Sequence, residues 1–213
     1  DSRTLAIAIA VTAIIFVLHF GESRGSAYPW SVVRDWVPLA FTLAAYRELD
    51  LFTPRSYSLR LETQWATIDH ILLQDWGLRS AIESLVPILP SYLELCYLFT
   101  SAVAAIGIVV LYTNHRRGRV NQFLSVYLLG TLLAYALIPW FPTEPPRFAF
   151  PQLDAPAAGG LIRFLNVAVL ARSGIHSGVF PSAHVSSTFS AAWGMFFALA
   201  EKKWVGWLFL IYA

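Results

Sequence analysis

The sequence predicts an all-α fold, a polytopic bundle of five or six transmembrane helices with additional interfacial helices. Of its 213 residues, 57% are hydrophobic and only 13% are charged, whereas a soluble domain carries about 25% charged residues. Several apolar segments approach the roughly 20 residues needed to cross a bilayer. Eight tryptophans and nine tyrosines are typical of aromatic belts at membrane interfaces. The net charge of +2 is too small to indicate a nucleic-acid partner, and we expect one membrane domain over residues 1–213.

The first ninety residues predict three elements. Residues 5–20 form a continuous apolar run, for which a retained membrane anchor is favoured over a signal peptide. Residues 36–46 are apolar between charged pairs and form either a short tilted span or a helix lying in the interface. Within residues 59–85, apolar side chains recur three or four positions apart, which predicts an amphipathic helix on a membrane surface or on the bundle. These side chains are Leu61, Trp65, Ile68 and Leu72.

The remaining residues predict regular spans joined by loops. Within residues 91–112, the first of these spans, small residues form a face for helix packing. A long loop over residues 148–180 contains a short helix, predicted at residues 161–171, and loops of this length are often functional. The spans are residues 91–112, 120–140 and 184–199, and a further one that begins at Trp204.

Two basic loops orient the chain. The loop NHRRGR (114–119) is placed in the cytoplasm by the positive-inside rule, although phosphate binding is the competing interpretation of its arginines. The segment EKK (201–203) agrees with this orientation. The segments PTEPPR (142–147) and PSAH (181–184) then share the non-cytoplasmic face. The side of the N-terminus stays open, because it depends on whether residues 36–46 cross the membrane.

No residue cluster calls for a metal or another cofactor. Asp69, His70 and Asp75 lie near one another in sequence, but adjacent Asp and His side chains do not converge on one helical face. A solvated polar face is therefore favoured over a metal site. Cys96 is the only cysteine, which excludes an internal disulfide and a thiolate cluster.

The segment GIHSGVFPSAHVSSTFS (174–190) holds the main candidate site. Ser182 is the predicted N-cap of an apolar helix, so the first helical amides lack intrahelical partners. Those amides, beginning with that of Ala183, and the helix dipole favour an anion such as phosphate. His184 lies in the first turn and can donate or accept a proton near neutral pH. His176, in the same loop, is a secondary candidate and is alternatively a solvated residue.

Arg147, at the end of PTEPPR, is the second half of the predicted site. Its planar guanidinium can pair with two phosphate oxygens, and phosphoryl transfer needs cations and amides on the non-bridging oxygens. The alternatives are a snorkelling anchor for Arg147 and a plain N-cap for Ser182. Because the two segments are predicted on one face beside a long loop, we favour an active site for the phosphate of a lipid.

The pair PTEPPR (142–147) and FPSAH (180–184) resembles the first two signatures of the type 2 phosphatidic acid phosphatase superfamily. More narrowly, it resembles the branch that contains inositol phosphorylceramide synthase. The segments YLLGTLLAYALIPWFPTEPPR and GVFPSAHVSS carry the resemblance, which covers about residues 85–212. It implies that Arg147, Ser182 and the Ala183 amide bind phosphate and that His184 assists the leaving group.

The chain departs from the usual signatures at three positions. Trp140 stands where the superfamily usually has a lysine, Phe148 follows the arginine in place of proline, and Ala183 replaces a common glycine. The missing lysine fits the synthase-like branch better than the simple phosphatases.

The resemblance implies two-step transfer through a phosphohistidine at the outer membrane surface. Membrane lipids are the substrates; water as acceptor gives a lipid phosphatase, and a ceramide or polyol lipid gives a head-group transferase. The third motif, with the nucleophilic histidine, is expected beyond Ala213, so we expect a truncated phosphatase-like core over residues 91–213, after N-terminal spans and an amphipathic region at 1–90. The alternative from another class is a non-enzymatic lipid-phosphate binding or transport protein that uses the same pocket.

Overall fold

The structure is a computed structural model that describes residues 2–24, 27–53, 60–85, 88–145, 160–173, 175 and 180–213. All regular structure in these ranges is helical, which confirms the predicted all-α class. The α-helices are α1 (Ser2–Arg24), α2 (Ala27–Phe52), α3 (Arg60–His70), α4 (Leu78–Ser84), α5 (Ile88–Thr100), α6 (Val103–Thr113), α7 (Val120–Leu137), α8 (Leu161–Ser173), α9 (Ala183–Ala198) and α10 (Lys203–Tyr212).

One continuous helical stretch in the described ranges is long and apolar enough to cross a membrane. It is Arg117–Trp140, with 24 residues and a mean hydropathy of 1.7, and it comprises α7 with a 3₁₀ turn at each end. Helices α4 and α5 meet the same criterion only if they are taken together as one span bent by 97°. By length and composition the described residues thus hold one or two candidate spans, and the predicted count of five or six stays a prediction.

The hydrophobic core lies among α6, α7, α9 and α10, and Phe123 is at its centre. The Phe123 side chain has no exposed surface. Its ring occupies the space above two glycines, since an added Cβ would lie 2.3 Å from a ring atom at Gly107 and 2.8 Å at Gly194. Interiors are packed too densely to accept such overlaps. The glycines therefore set how closely α6 and α9 approach α7.

Helices α7 and α9 are in close contact at Gly130. An added Cβ there would lie 1.8 Å from Ser190 Oγ, and the Ser186 hydroxyl donates a 2.8 Å hydrogen bond to the Gly130 carbonyl. Small residues permit this approach, and hydroxyl-to-carbonyl bonds hold it. PTEPPR follows α7 and FPSAH begins α9, so this contact fixes the relative position of the helices that lead to both motifs.

The predicted span over residues 91–112 is wrong as a single helix, because the chain turns at residues 101–102 between α5 and α6. The Cys96 carbonyl, in the last turn of α5, accepts hydrogen bonds from the hydroxyls of Thr100 and Tyr212. Hydroxyls bound to a helix carbonyl compete with the backbone ladder. They therefore favour an end to the helix at this point.

The amphipathic region and residues 36–46 also differ from prediction. Residues 36–46 lie inside the 26-residue helix α2, which continues through Pro38. The amphipathic pattern over residues 59–85 is divided between α3 and α4 by a π turn, Ile71–Asp75, and by Gly77 at φ 71°. Glycine adopts this left-handed conformation without a steric cost, so it ends the helix.

The two basic loops lie together at one end of the bundle. Lys202 Nζ donates a 2.6 Å hydrogen bond to Asn114 Oδ1, and the Arg116 guanidinium donates to the Glu201 carboxylate. A hydrogen bond from its own backbone amide, together with the Arg116 guanidinium, lowers the pKa of the Glu201 carboxyl. The two hydrogen bonds join the α6–α7 connection to the α9–α10 connection.

Asp35 fixes α2 to the same end. Its carboxylate is buried and accepts hydrogen bonds from the Tyr112 hydroxyl at 2.6 Å and from Arg117 Nε at 3.0 Å. Arg117 also donates to the Ser31 hydroxyl. A buried carboxylate is tolerated when it is paired and hydrogen-bonded in this way.

Candidate active site

The start of α9 has the geometry predicted from the sequence. Ser182 is the N-cap, with extended backbone angles of φ −67° and ψ 109°, and its Oγ accepts a 3.3 Å hydrogen bond from the Val185 amide. By helix geometry, the amides of Ala183 and His184 have no carbonyl acceptor within the helix itself. This end of α9 therefore offers donors and the positive end of a dipole to an anion.

His184 is held by a ring contact with a residue of another helix. Its half-buried imidazole stacks on the Tyr97 ring of α5, with centroids 5.1 Å apart and planes 15° apart. An aromatic partner at this distance restricts the orientation of the imidazole. Tyr97 lies in an apolar segment and belongs to no local motif, so no sequence pattern points to it.

A cavity of about 370 Å³ adjoins His184 and is lined by residues of α2, α5, α6, α7, α8 and α9. Its lining is mostly apolar, and no Asp, Glu, Lys or Arg is among the described residues that line it. Neutral polar side chains interrupt the apolar surface, among them Thr42, Tyr127, Tyr135, Asn166 and Ser187. A cavity of this kind suits the uncharged part of an amphipathic molecule.

Asn166 forms one wall of this cavity and joins α8 to α5. The side chain is 2% exposed, and its Nδ2 donates to the Glu94 carbonyl at 2.8 Å and to the Glu94 carboxylate. The same carboxylate accepts a 3.0 Å hydrogen bond from Arg163. These bonds place the helix predicted at residues 161–171, observed as α8, beside the cavity. No sequence pattern points to Asn166 or Glu94 as residues of the site.

The segment that leads to the predicted arginine lies next to the segment that leads to Ser182. The rings of Phe141 and Phe180 meet edge to face, with centroids 5.3 Å apart. Of PTEPPR, the structure describes residues 142–145, in which Thr143 has no exposed surface. Arg147 and His176 lie outside the described residues, so their predicted place beside His184 stays a prediction.

The polar cluster in the amphipathic region forms only a pair. His70 Nδ1 lies 3.9 Å from Asp75 Oδ1, and both side chains are more than half exposed. Within the part of the chain that the structure describes, no three His, Cys, Asp or Glu side chains form a group that could hold a metal ion.

A comparison with known families identifies the superfamily of the chain. A family model described as the PAP2 superfamily matches residues 63–213, over two thirds of the chain. The chain belongs to the PAP2 superfamily. PAP2 membership points to phosphatase or phosphotransferase activity on lipid phosphates, and it confirms the superfamily resemblance of the two motifs. No curated protein and no solved structure matches the chain.

Proposed function

We propose that this PAP2 protein is an integral membrane enzyme that transfers a phosphoryl or phospho-head group of a lipid at the non-cytoplasmic face. The observation that carries the proposal is the start of α9, where Ser182 caps a first turn that contains His184, whose imidazole is oriented by the Tyr97 ring. An anion site and a proton donor in one helical turn supply two of the groups that phosphoryl transfer uses.

In this proposal the site residues have separate roles. The Arg147 guanidinium and the amide of Ala183 hold the non-bridging oxygens, and the Ser182 hydroxyl adds a neutral donor. The nucleophile is the histidine that the third motif supplies in this superfamily. His184 is the general acid, and His176 is a secondary candidate for a role at the same site.

The reaction has two steps in which atoms and protons balance. The nucleophilic histidine nitrogen forms a bond to phosphorus while the bond between phosphorus and the leaving oxygen breaks, and His184 gives that oxygen its proton. In the second step, water or an alcohol loses a proton to His184 as its oxygen attacks phosphorus and displaces the histidine. The amides and guanidinium stabilise the charge that develops on the phosphoryl oxygens.

We further propose five or six membrane spans with both motifs on the outer side. The close association of the two basic loops at one end, through Lys202 and Asn114, supports this orientation. The contact of Phe141 with Phe180 supports it at the other end. Basic loops are retained in the cytoplasm, which leaves the motif end outside.

Within this chemistry we favour a transferase similar to inositol phosphorylceramide synthase. Trp140 occupies the position of the usual lysine, as expected for that branch. The uncharged cavity beside His184 offers room for the lipid backbone of a donor or of an acceptor alcohol. Water as the acceptor would give a lipid phosphatase.

The test is an assay of the full-length protein, purified in detergent, against lipid phosphates and phospholipids, with and without a ceramide or a polyol. We expect a new phospholipid to form only when the alcohol is present. His184→Ala should lower turnover by about 100-fold or more, whereas His70→Ala, at an exposed histidine, should not.

Three outcomes would change the proposal. Free phosphate without a lipid product would exclude the transferase and leave the phosphatase. Binding of lipid phosphates without turnover by the wild-type protein would indicate a non-enzymatic carrier. Full activity of His184→Ala would remove the acid role of this histidine.

A further inference from the structure

A buried carboxylate on α3 binds the backbone of the first motif. Glu62 is 7% exposed, and its Oε1 accepts a 2.8 Å hydrogen bond from the Glu144 amide, inside PTEPPR. The two residues are 82 positions apart in sequence. An ionised carboxylate is costly to bury unless it is hydrogen-bonded, and a charge-assisted bond to an amide is about twice as strong as a neutral one.

The same helix contacts the second motif. The Trp65 ring of α3 lies 5.1 Å, centroid to centroid, from the ring of Phe180, which begins FPSAH. Phe180 also meets Phe141, the residue before PTEPPR. Helix α3 therefore contacts both motif segments, one through a carboxylate and the other through an aromatic ring.

These contacts give the amphipathic helix a role besides covering apolar surface. An acidic side chain on a helix that merely rests on a surface would face water, as Asp69 of the same helix does. Glu62 instead turns inward to a backbone amide three residues before Arg147. The segment that leads to Arg147 is thereby fixed to α3 three residues before the predicted phosphate-binding arginine.

We propose that Glu62 is a positioning residue that holds PTEPPR against α3 so that Arg147 reaches the phosphate at the start of α9. This inference rests on the proposed function, because it assigns Glu62 a role at the same phosphate site. Displacing a binding group by about 1 Å can lower the rate about 100-fold. Loss of the Glu62 acceptor therefore weakens phosphate binding without removing any group that touches the phosphate.

The first test measures the inhibition constant of inorganic phosphate in the turnover assay. Glu62→Ala removes the acceptor and should raise this constant about tenfold or more. Glu62→Gln keeps an oxygen acceptor and should stay within about threefold of wild type. Asp69→Ala is the matched control, an exposed acid on the same helix, and should change nothing. Partial misfolding would lower the amount of active enzyme but would not move an inhibition constant.

A second variant covers the case in which Glu62→Ala does not fold. Glu62→Asp keeps the charge but shortens the side chain by one methylene, so its carboxylate no longer reaches the Glu144 amide. We expect the inhibition constant of phosphate to rise in this variant as in Glu62→Ala. An unchanged constant in a folded Glu62→Asp or Glu62→Ala protein would overturn the positioning role.

The last measurement is independent of turnover. Amide hydrogen exchange in the peptide that contains Glu144 should be faster in Glu62→Asp than in wild type and unchanged in Asp69→Ala. If no lipid phosphate is turned over but this exchange responds, the proposed function fails while the contact stands. If turnover is found but the exchange does not respond, the positioning role fails and the proposed function stands.

Discussion

At the scale of single residues, Ser182 and His184 each serve two demands. The Ser182 hydroxyl caps α9 through the Val185 amide, and in our proposal it also faces the phosphate. His184 has a ring partner in Tyr97 and a proposed role as the acid. An informative variant therefore keeps the structural contact of such a residue and removes its proposed chemical role, or the reverse.

Ser182 allows such a separation. Asn and Asp are as good as Ser at an N-cap, so Ser182→Asn and Ser182→Asp should keep the melting temperature in detergent, whereas Ser182→Ala should lose about 1 kcal/mol. Only Ser182→Asp places a negative charge against the phosphate. We therefore expect the inhibition constant of inorganic phosphate to rise at least tenfold for Asp and little for Asn. Equal constants for the two variants would show that residue 182 does not face the anion.

The effect of Tyr97 on turnover should depend on its aromatic ring and not on its hydroxyl group. Stacking is worth about 0.5–1.5 kcal/mol, so Tyr97→Leu should lower kcat by about two- to tenfold by freeing the His184 imidazole. Tyr97→Phe keeps the ring and should remain within about twofold of wild type. A loss of the same size in both variants would assign the effect to the hydroxyl group instead.

At the scale of elements, the contact between α7 and α9 positions the site. The helices touch at Gly130, where Ser186 binds the backbone and Ser190 fills the space beside it. Helix α3 adds a second constraint at the motif end through Glu62 and Trp65. The motif segments are therefore held both by the packing of α7 against α9 and by their contacts with α3.

Gly130→Ala should separate α7 from α9. The added methyl overlaps Ser190 Oγ, and overpacking of this kind costs about 1–3 kcal/mol. Adding Ser190→Gly removes the clashing atoms and should restore much of the melting temperature. Gly118→Ala is the control, because an added Cβ there meets no atom within 4 Å. A Gly130→Ala protein as stable and active as wild type would contradict the close contact.

At the scale of the whole molecule, the bundle has two chemically different ends. One carries the basic loops, joined by Lys202 to Asn114 and fixed to α2 by Asp35. The other carries both motif segments. The polar contacts at the basic end hold the connections between helices, and an aromatic contact at the motif end joins the residue before PTEPPR to the first residue of FPSAH.

Asp35 should be a main stabilising residue of the basic end. Removing one partner of a buried ion pair costs about 3–5 kcal/mol, because the other charge stays buried. We expect Asp35→Ala to lower thermal stability in detergent by roughly the lower value, since Arg117 is 26% exposed. Glu83→Gln, which breaks the exposed pair with Arg79, should change stability by less than about 0.5 kcal/mol. Similar effects of the two changes would contradict the burial of Asp35.

The proposed orientation can be tested by cysteine labelling in intact cells. On a Cys96→Ser background, Gly160→Cys should react with a membrane-impermeant maleimide from outside. Gly118→Cys should react only after the membrane is opened. Neither position has an atom within 4 Å of an added Cβ, so both side chains fit. The reverse labelling pattern would place the motifs in the cytoplasm.

Local sequence was sufficient for part of the site. The N-cap at Ser182, the helix that follows it and the short helix α8 were predicted because caps and apolar periodicity depend on neighbours in sequence. The break at residues 101–102 was missed, because one of the hydroxyls at the Cys96 carbonyl belongs to Tyr212, more than one hundred residues away. The turn at Gly77 was missed because the apolar spacing continues through it.

The sequence by itself determined the helical class, the PAP2 motifs and the capped start of α9, since each depends on composition or on residues within a few positions. Only the tertiary structure decided that Tyr97 stacks on His184, that Asn166 lines the cavity and that Glu62 binds the Glu144 amide. These contacts join residues that are distant in the chain. No local periodicity carries information about which buried polar group will meet which partner, because that choice depends on how the helices pack.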